Sequence, residues 1–189
     1  VIPSRQGQGI GFALKQAQRR WALEHGFKVI AWTYDPLQRG NANFNLHLLK
    51  TVTNQYHVNF YGEMADGINK GMPSDRLEVT WNLLDKPVIA AAESDSPKPA
   101  VDAYPRELFL LYGDDDGKPH LNLPSAWNSR WHFAEIPFQI SALKRDNIVR
   151  AKAWQLALRE ALGGAFAHGY QAVDFADHGK RCWYVLEKI

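Results

Sequence analysis

The 189-residue sequence has few of the features that mark several protein classes. Its single cysteine, Cys182, cannot form an internal disulfide bond, which excludes a disulfide scaffold and fits a reducing cytoplasm. The formal net charge is only +2, so charge gives no argument for a nucleic-acid partner. No apolar run is long enough to span a bilayer, which argues against a membrane protein. We therefore expect a cytoplasmic protein.

Aromatic and aliphatic side chains are plentiful. Apolar residues make up 46% of the chain, with seven Trp, nine Phe and seven Tyr, which is more than a disordered chain carries. The length allows one large domain or two small ones, each with its own core. The sequence thus predicts an ordered globular protein.

A helix is predicted from about residue 10 to residue 25. Ile10, Leu14, Ala17 and Trp21 follow one another at steps of four, three and four residues, which forms the apolar stripe of an amphipathic helix. His25 followed by glycine is typical of a helix end.

Three glycines, Gly7, Gly9 and Gly11, precede or open this helix. Free backbone N–H groups and the helix dipole favour an anion at such an end, most often a phosphate. One interpretation is a tight turn that needs glycine for its backbone alone. A dinucleotide-binding turn is a second, with Asp35 as the ribose ligand, but it requires a third glycine where the sequence has Phe12.

A third interpretation rests on a resemblance. The pattern Gln6-x-x-Gly9-x-Gly11 resembles the pyrophosphate loop of the GNAT acetyltransferase superfamily, and Val1-Ile2-Pro3 looks like the end of that family's fourth strand. The resemblance implies acetyl-CoA or another acyl-CoA as co-substrate. It also implies a role for the strand end near Val1 in pairing with the pantetheine arm. The residues that it assigns to the pyrophosphate are Gln6, Gly7, Gln8, Gly9, Ile10 and Gly11.

The elements after the first helix follow the order of the second half of a GNAT domain. β-Branched and aromatic runs predict strands at residues 27 to 34, 55 to 61 and 76 to 83. A short helix is predicted at 41 to 49, and a polar loop at 62 to 75. This order matches the family's fourth to seventh strands.

Four short runs resemble an uncharacterised bacterial and archaeal branch of predicted GNAT acetyltransferases. They are Trp32-Thr33-Tyr34-Asp35-Pro36-Leu37, Asn41-Ala42-Asn43-Phe44-Asn45-Leu46, Asn59-Phe60-Tyr61-Gly62 and Pro73-Ser74-Asp75-Arg76. The resemblance implies transfer of an acetyl or other acyl group to an amine of a small-molecule acceptor. The branch brings no known acceptor with it.

One departure from the family pattern concerns the proton donor. Many GNAT enzymes carry a Tyr in the second helix that protonates the leaving thiolate, and here Leu46 holds the matching position. A side chain without a proton cannot act as a general acid. The alternatives are another group such as Tyr56, His47 or Tyr61, help from solvent, or a non-catalytic acyl-CoA-binding or interaction module.

Three residues are candidates for the base that removes the amine proton: Asp35, His57 and Glu63. Asp35 ends a strand near the expected thioester position, and its alternative role is to form an Asp-Pro turn. His57 lies on one face of a strand, opposite Tyr56, and this face points either to a cleft or to solvent. The predicted catalytic residues are Asp35, His57 and Tyr56.

Polar residues of the second helix are candidates for the CoA arm. An Asn at this position often contacts CoA in the superfamily, which implies this role for Asn41 and Asn43, near Asn45. Capping of the helix is the alternative. Arg76 either binds an acidic acceptor or is solvated.

Other motifs indicate structure only. Cys182 reads as a small buried residue in a strand. The run from Asp114 to Gly117 lacks the spaced ligands of a calcium loop and predicts a hairpin turn between strand-like flanks. The seven His residues show no metal-ligand spacing, so no metal is predicted.

The C-terminal half follows a segment rich in Pro and Ser. We predict a GNAT-half core at 1–84, a linker at 85–105 and a C-terminal α/β part at 106–189. The last part contains a strand at 130–140, a long helix capped by Asp146 and two strands near 172–175 and 182–186. Both 22–30 and 165–173 lead a helix into His-Gly-aromatic and a strand, so this part is either a degenerate second GNAT-like half or shares only a helix-stop motif.

The expected fold class is α/β, and the resemblance implies a GNAT-type acyl-CoA N-acyltransferase fold with a central mixed sheet and a C-terminal α/β extension. The start at Val1 leaves no room for the family's first strands, so we expect the later part of a longer protein. The expected partner is a small-molecule acceptor, with a homodimer as an option and with neither nucleic acid nor membrane.

Overall fold

The computed structural model describes residues 7–62, 72–94 and 96–189. Within this part of the chain, no helix is long and apolar enough to cross a membrane. The helices are α1 (Ile10–Glu24), α2 (Arg39–Ala42) with a π-helix (Asn43–Leu48), α3 (Lys86–Glu93), α4 (Ile140–Asp146) and α5 (Ile148–Ala167). The strands are β1 (Val29–Tyr34), β2 (Val52–His57), β3 (Arg76–Asn82), β4 (Phe109–Gly113), β5 (Pro119–Leu121), β6 (Trp131–Ile136), β7 (Tyr170–His178) and β8 (Arg181–Lys188).

The strands form one eight-stranded sheet in the order β1-β3-β2-β7-β8-β6-β4-β5. The pair β4–β6 is parallel and the other described pairs are antiparallel. The expectation of an α/β protein with a central mixed sheet is confirmed. The two halves of the sheet meet where β2 pairs with β7, with Thr53 opposite Ala172.

The largest core cluster spans both halves of the chain. Tyr34 and Leu77 from the first half pack in the same cluster as Leu158 of α5 and Tyr184 of β8. A second cluster covers the other face of the C-terminal strands, with Phe133 and other aromatic residues at its centre. The core is therefore continuous from the first half of the sheet into the second.

Helix α1 forms where the sequence predicted it but turns a different face to the protein. Leu14 is 61% exposed and Trp21 54% exposed, whereas Ala22 is 2% exposed. The inward face carries long polar side chains. Arg19 donates two hydrogen bonds to the Leu83 carbonyl oxygen, at 2.9 and 2.7 Å, and the Lys15 Nζ lies 3.4 Å from the Trp32 ring centroid.

This orientation has a physical reason. Lys and Arg bury their aliphatic stems while their charged ends find partners, and a tryptophan face attracts a cation. The apolar spacing therefore located the helix but misjudged its buried side.

Two further segments differ from the expectation. The predicted linker contains helix α3, because Pro87 occupies a first-turn position where a proline favours helix formation, and Val88 is buried. The strand predicted at 55–61 is β2 at Val52–His57, and Asn59 follows in a left-handed turn with φ 49°.

The C-terminal elements follow the predicted order. The Asp114 to Gly117 run forms the turn of the β4–β5 hairpin, as predicted. The stripe of α5 is buried, but its N-cap is Asn147, whose side chain accepts a hydrogen bond from the Arg150 N–H at 2.9 Å. Asp146 instead ends α4, because a short helix precedes the long one.

The two His-Gly segments share the chemistry of the helix end. Gly26 has φ 80° and Gly169 has φ 81°, and each preceding histidine bonds through Nδ1 to the carbonyl four residues back, at 2.8 and 2.7 Å. The strands that follow occupy different places, since β1 lies at an edge of the sheet and β7 lies between β2 and β8. The comparison supports a shared helix stop, and a degenerate second half stays a prediction.

Candidate functional site

A cavity of about 460 Å³ lies where the N-terminus of α1 meets the π-helix and the segment after α3. The residues that line it and matter for its chemistry are Gly9, Phe12, Asn43, His47, Ser96 and Lys98. Such a volume is in the range of small-molecule sites. The mixture of apolar walls and a few polar groups is also typical of such sites.

The α1 end of the cavity is prepared for an anion. Gly7 and Gly9 have φ of 75° and 76°, a backbone region that favours glycine. Gly9 occupies the N-cap position of a 15-residue helix, with no side-chain cap and no acidic residue in the first turn. Because glycine has no side chain, the N-cap residue does not accept a hydrogen bond from the first N–H groups of the helix, and the positive end of the dipole favours a negatively charged ligand there.

Two further groups give the cavity polar contacts. Lys98 lines it and also forms an ion pair with Asp177. Asn43 also lines the cavity, and its side-chain oxygen, Oδ1, is buried and has no hydrogen-bond partner within the described residues. Asn41 is exposed on α2 and is absent from the described lining, whereas Asn45 is buried and accepts a hydrogen bond from Trp32 Nε1 at 3.3 Å.

A histidine, an aspartate and a lysine form a cluster at the wall of this cavity. His47 lines the cavity, is 4% exposed, and donates from Nδ1 to Asp174 Oδ1 at 2.9 Å. Lys50 Nζ donates to the other oxygen of Asp174 at 2.8 Å, and the Phe175 N–H donates to Oδ1 at 2.7 Å.

The charge of Asp174 is stabilised by these donors. Burial by itself raises the pKa of this carboxyl, but the hydrogen bonds from His47 and Lys50 outweigh burial and leave the pKa below its ordinary value. Asp174 is therefore ionised at neutral pH. The sequence interpretation considered His47 only as one substitute for the missing Tyr, and it did not single out Asp174.

The three predicted catalytic residues lie elsewhere. Asp35 accepts a hydrogen bond from the Leu37 N–H at 2.9 Å, the arrangement of a turn former, and lies 3.9 Å from Lys144 Nζ. His57 is on the open face of β2 and bonds through Nε2 to Glu78 at 2.9 Å. None of Asp35, Tyr56 and His57 is among the described residues that line the cavity.

Tyr56 belongs to a buried polar cluster. Its hydroxyl donates to Asp75 Oδ2 at 2.8 Å, and Arg159 of α5 donates to both Asp75 oxygens at 3.0 to 3.1 Å. Burial, followed by the charge of Asp75, raises the pKa of Tyr56 well above its ordinary value. Asp75 lies in the run Pro73 to Arg76, in which the sequence pattern indicated only Arg76 as a candidate functional residue.

Arg76 and Cys182 have structural surroundings. The Arg76 guanidinium donates to the Asp75 carbonyl oxygen at 2.8 Å and lies 5.0 Å from the Tyr61 ring centroid. Cys182 is fully buried, as predicted, and burial raises the pKa of its thiol to about 12. A thiol with this pKa stays protonated at neutral pH.

Some predicted residues lie outside the described part of the chain. These are Val1 and Gln6 of the predicted pyrophosphate loop and Glu63 of the predicted bases. Across the described ranges, no group of three or more His, Cys, Asp or Glu side chains stands close enough to hold a metal ion.

The comparisons with known proteins add no relative. No family model matches the chain, and neither the curated proteins nor the solved structures yield a match. The function of the chain is therefore inferred from the cavity and the residues that line it.

Proposed function

We propose that the chain binds an acyl-CoA at the glycine turn and transfers its acyl group to an amine of a small molecule, as a GNAT-type acyltransferase. The observation that carries this proposal is the N-terminus of α1, where left-handed Gly7 and Gly9 lead into the helix with glycine at the N-cap position and a cavity of about 460 Å³ lies beside it. A pyrophosphate fits such an end because it accepts several N–H donors and is stabilised by the dipole.

The rest of the cavity supports a ligand longer than a phosphate. Phe12 and Leu48 provide apolar contacts, and Asn43 adds a polar side chain to the lining. The pantetheine arm of CoA carries both methylene and amide groups, which suit such a mixed lining. Lys98 also lines the cavity, and its positive charge attracts the negatively charged phosphates of CoA.

A non-catalytic acyl-CoA-binding module is the second candidate. Leu46, at the position of the family's tyrosine, is fully buried and carries no proton to give. The three residues predicted to be catalytic lie away from the lining of the cavity. Both observations favour a protein that binds the cofactor without using it.

Calorimetric titration with acetyl-CoA and with free CoA tests binding. We expect saturable binding of both ligands, with loss of affinity as salt rises, because the phosphates supply much of the attraction. Absence of binding would overturn both candidates.

A charge pair at Gly9 tests the location. Gly9→Asp and Gly9→Asn have the same shape and both residues tolerate a left-handed backbone, so they differ mainly in charge. We expect Gly9→Asp to weaken CoA binding about tenfold relative to Gly9→Asn, because a carboxylate at the helix N-terminus repels the pyrophosphate. Equal affinities in the two variants would mean that the pyrophosphate binds elsewhere.

Release of free CoA thiol separates the enzyme from the module. The protein is mixed with acetyl-CoA and a panel of polyamines, amino sugars and amino-acid amides, and thiol is measured over time. Thiol release that depends on one amine supports the transferase. Binding of acetyl-CoA without release for any amine favours the module.

A further inference from the structure

We propose that His47, held by Asp174 and Lys50, is the catalytic residue that carries the proton during acyl transfer in the cavity. This proposal rests on the acyl-CoA-dependent function proposed above. It assigns the general base and the general acid to one side chain. Asp35, His57 and Tyr56, the catalytic residues predicted from the sequence, then have structural roles.

Three backbone irregularities meet at this cluster. His47 belongs to the π-helix, Lys50 has φ 53° without being glycine, and the pairing of β7 with β8 is interrupted by a register shift between Ala172 and Asp174. Single π-helical turns, left-handed non-glycine residues and β-bulges all cost conformational energy, and they concentrate at functional sites. Here each irregularity positions one member of the same cluster.

The hydrogen bonds fix the state of the imidazole. Because Asp174 accepts from Nδ1, the neutral ring carries its proton on Nδ1, and Nε2 is the nitrogen left with a lone pair. Lys50 holds the second Asp174 oxygen, so the carboxylate keeps its orientation when the imidazole becomes charged. This is the arrangement in which a carboxylate supports a histidine base.

The position of His47 fits the missing donor of the family pattern. Leu46, at the tyrosine position, points into the core, and His47 is the next residue of the same π-helix and lines the cavity. Within the described part of the chain, the charged groups near the imidazole are Asp174 on β7, Lys50 after the π-helix, and Lys98, which lines the same cavity and pairs with Asp177.

Transfer of the acyl group needs no reactant other than the amine and the acyl-CoA. The nitrogen of a neutral amine attacks the thioester carbon, and one of its protons passes to His47 Nε2. The carbon–sulfur bond then breaks, and the imidazolium returns the proton to the leaving thiolate. The products are an amide and CoA thiol, and His47 ends as it began.

A nuclear magnetic resonance experiment reads the imidazole without any need for turnover. In the full chain with ¹⁵N-labelled histidine, we expect His47 as the Nδ1–H tautomer at pH 8, with a shift in its ring resonances when acetyl-CoA is added. In Asp174→Asn we expect a mixture of tautomers. An Nε2–H tautomer in the unchanged protein, or ring resonances that ignore bound acetyl-CoA, would overturn the role of His47.

Kinetic variants give the second arm. Asn in place of His47 keeps a donor near the Nδ1 position and removes Nε2, so we expect a loss of kcat of roughly 100-fold or more and a much smaller change in CoA affinity. The control is His120→Asn, which changes an exposed histidine that bonds through Nε2 to Asp114 at 2.8 Å, close to the 2.9 Å between His47 and Asp174. This control should keep the full rate.

A pH profile distinguishes a proton carrier from a structural residue. We expect the pH dependence of kcat/KM to differ between the unchanged protein and Asp174→Asn, because a neutral amide then replaces the carboxylate that bonds to the imidazole. A profile that does not move contradicts the assignment.

The outcomes separate this proposal from the one it rests on. If acetyl-CoA does not bind, the proposed function fails. If acetyl-CoA binds and His47→Asn keeps the full rate of thiol release, only the role of His47 fails. Binding without thiol release for any amine overturns both the transferase and the role of His47 and leaves the binding module.

Discussion

Asp75 accepts several hydrogen bonds that the sequence around it does not predict. It is 1% exposed and accepts from the Tyr56 hydroxyl, the Asn59 backbone N–H and the Arg159 guanidinium. These bonds connect the end of β2 to helix α5, which is far away in sequence. A buried carboxylate with three donors holds its neighbours in place, and removing its charge leaves a guanidinium without its partner.

We expect Asp75→Asn to lower the free energy of unfolding by about 2 to 3 kcal/mol, because the partly buried Arg159 then lacks its counter-charge. Urea unfolding measures the change. Asp116→Asn is the control, since the Asp116 side chain is 76% exposed and its pairing with Lys118 is long, at 3.5 Å. The control should change the free energy by less than about 0.5 kcal/mol. Similar losses in the two variants would mean that the buried cluster contributes no more than a surface pair.

At the scale of the element, the apolar spacing of α1 predicts where the helix lies, whereas its contacts with other elements determine which side is buried. The apolar spacing located the helix to within a residue or two, yet the buried side is the one with Lys15 and Arg19. The Leu83 carbonyl and the Trp32 ring decided this, and neither belongs to the helix. Spacing within an element reports a period, whereas the buried side depends on which groups of other elements it meets.

The same substitution on the two sides of α1 tests this orientation. We expect Ala17→Gln, on the side that the apolar spacing predicted to be buried, to change the free energy of unfolding by less than about 0.5 kcal/mol. Ala22→Gln places a larger polar side chain at a position that is 2% exposed, and should cost about 2 kcal/mol or more. Thermal or urea unfolding of both variants gives the comparison. A larger loss for Ala17→Gln would reverse the orientation.

At the scale of the whole molecule, the sheet continues through the predicted boundary between the two halves. The core cluster that α5 covers includes Leu77 and Val79 of β3 together with Tyr170 and Tyr184 from the C-terminal strands. The C-terminal part of the sheet contains a buried histidine, His132 of β6. Protonation of His132 is therefore expected to affect the stability of the fold. It is 1% exposed, and its Nδ1 donates to the Leu108 carbonyl oxygen at 3.1 Å.

The stability of the molecule should fall as pH drops below 6.5 because of this histidine. Burial lowers the pKa of His132 below its ordinary value of 6.5, so the unfolded chain takes up the proton first. The contribution of neutral His132 to the free energy of unfolding is complete above pH 6.5. It is lost, by up to about 1.4 kcal/mol per pH unit, as pH falls toward the lowered pKa. Urea unfolding from pH 7.5 to pH 5 measures the slope.

His132→Asn keeps a donor for Leu108 and does not titrate, so its slope over this range should be smaller than that of the unchanged chain. His25→Asn is the control, because His25 is exposed at the end of α1. If removing His132 leaves the slope as it was, another group causes the acid sensitivity.

Most elements and one end of the candidate site could be predicted from the sequence. Glycines before an amphipathic helix predict an anion site because the donors belong to the backbone of that one segment. His47 and Asp174 could not be paired in this way, since 127 positions separate them and only the packing of the π-helix on β7 joins them. Asp35 and His57 are predicted to be catalytic from their positions in the strands. In the structure, Asp35 accepts a hydrogen bond within a turn, and His57 bonds to Glu78 on an open face of the sheet.

The sequence by itself determined the α/β order of elements, the helix with its glycine turn and the hairpin at Asp114 to Gly117. Each depends on interactions within a few residues, such as backbone hydrogen bonds and the φ that glycine allows. Only the tertiary structure decided which face of α1 is buried, that the two halves share a sheet, and that His47 meets Asp174 and Lys50. Those outcomes depend on contacts between residues far apart in the chain, whose free energy exists only once the strands and helices have packed.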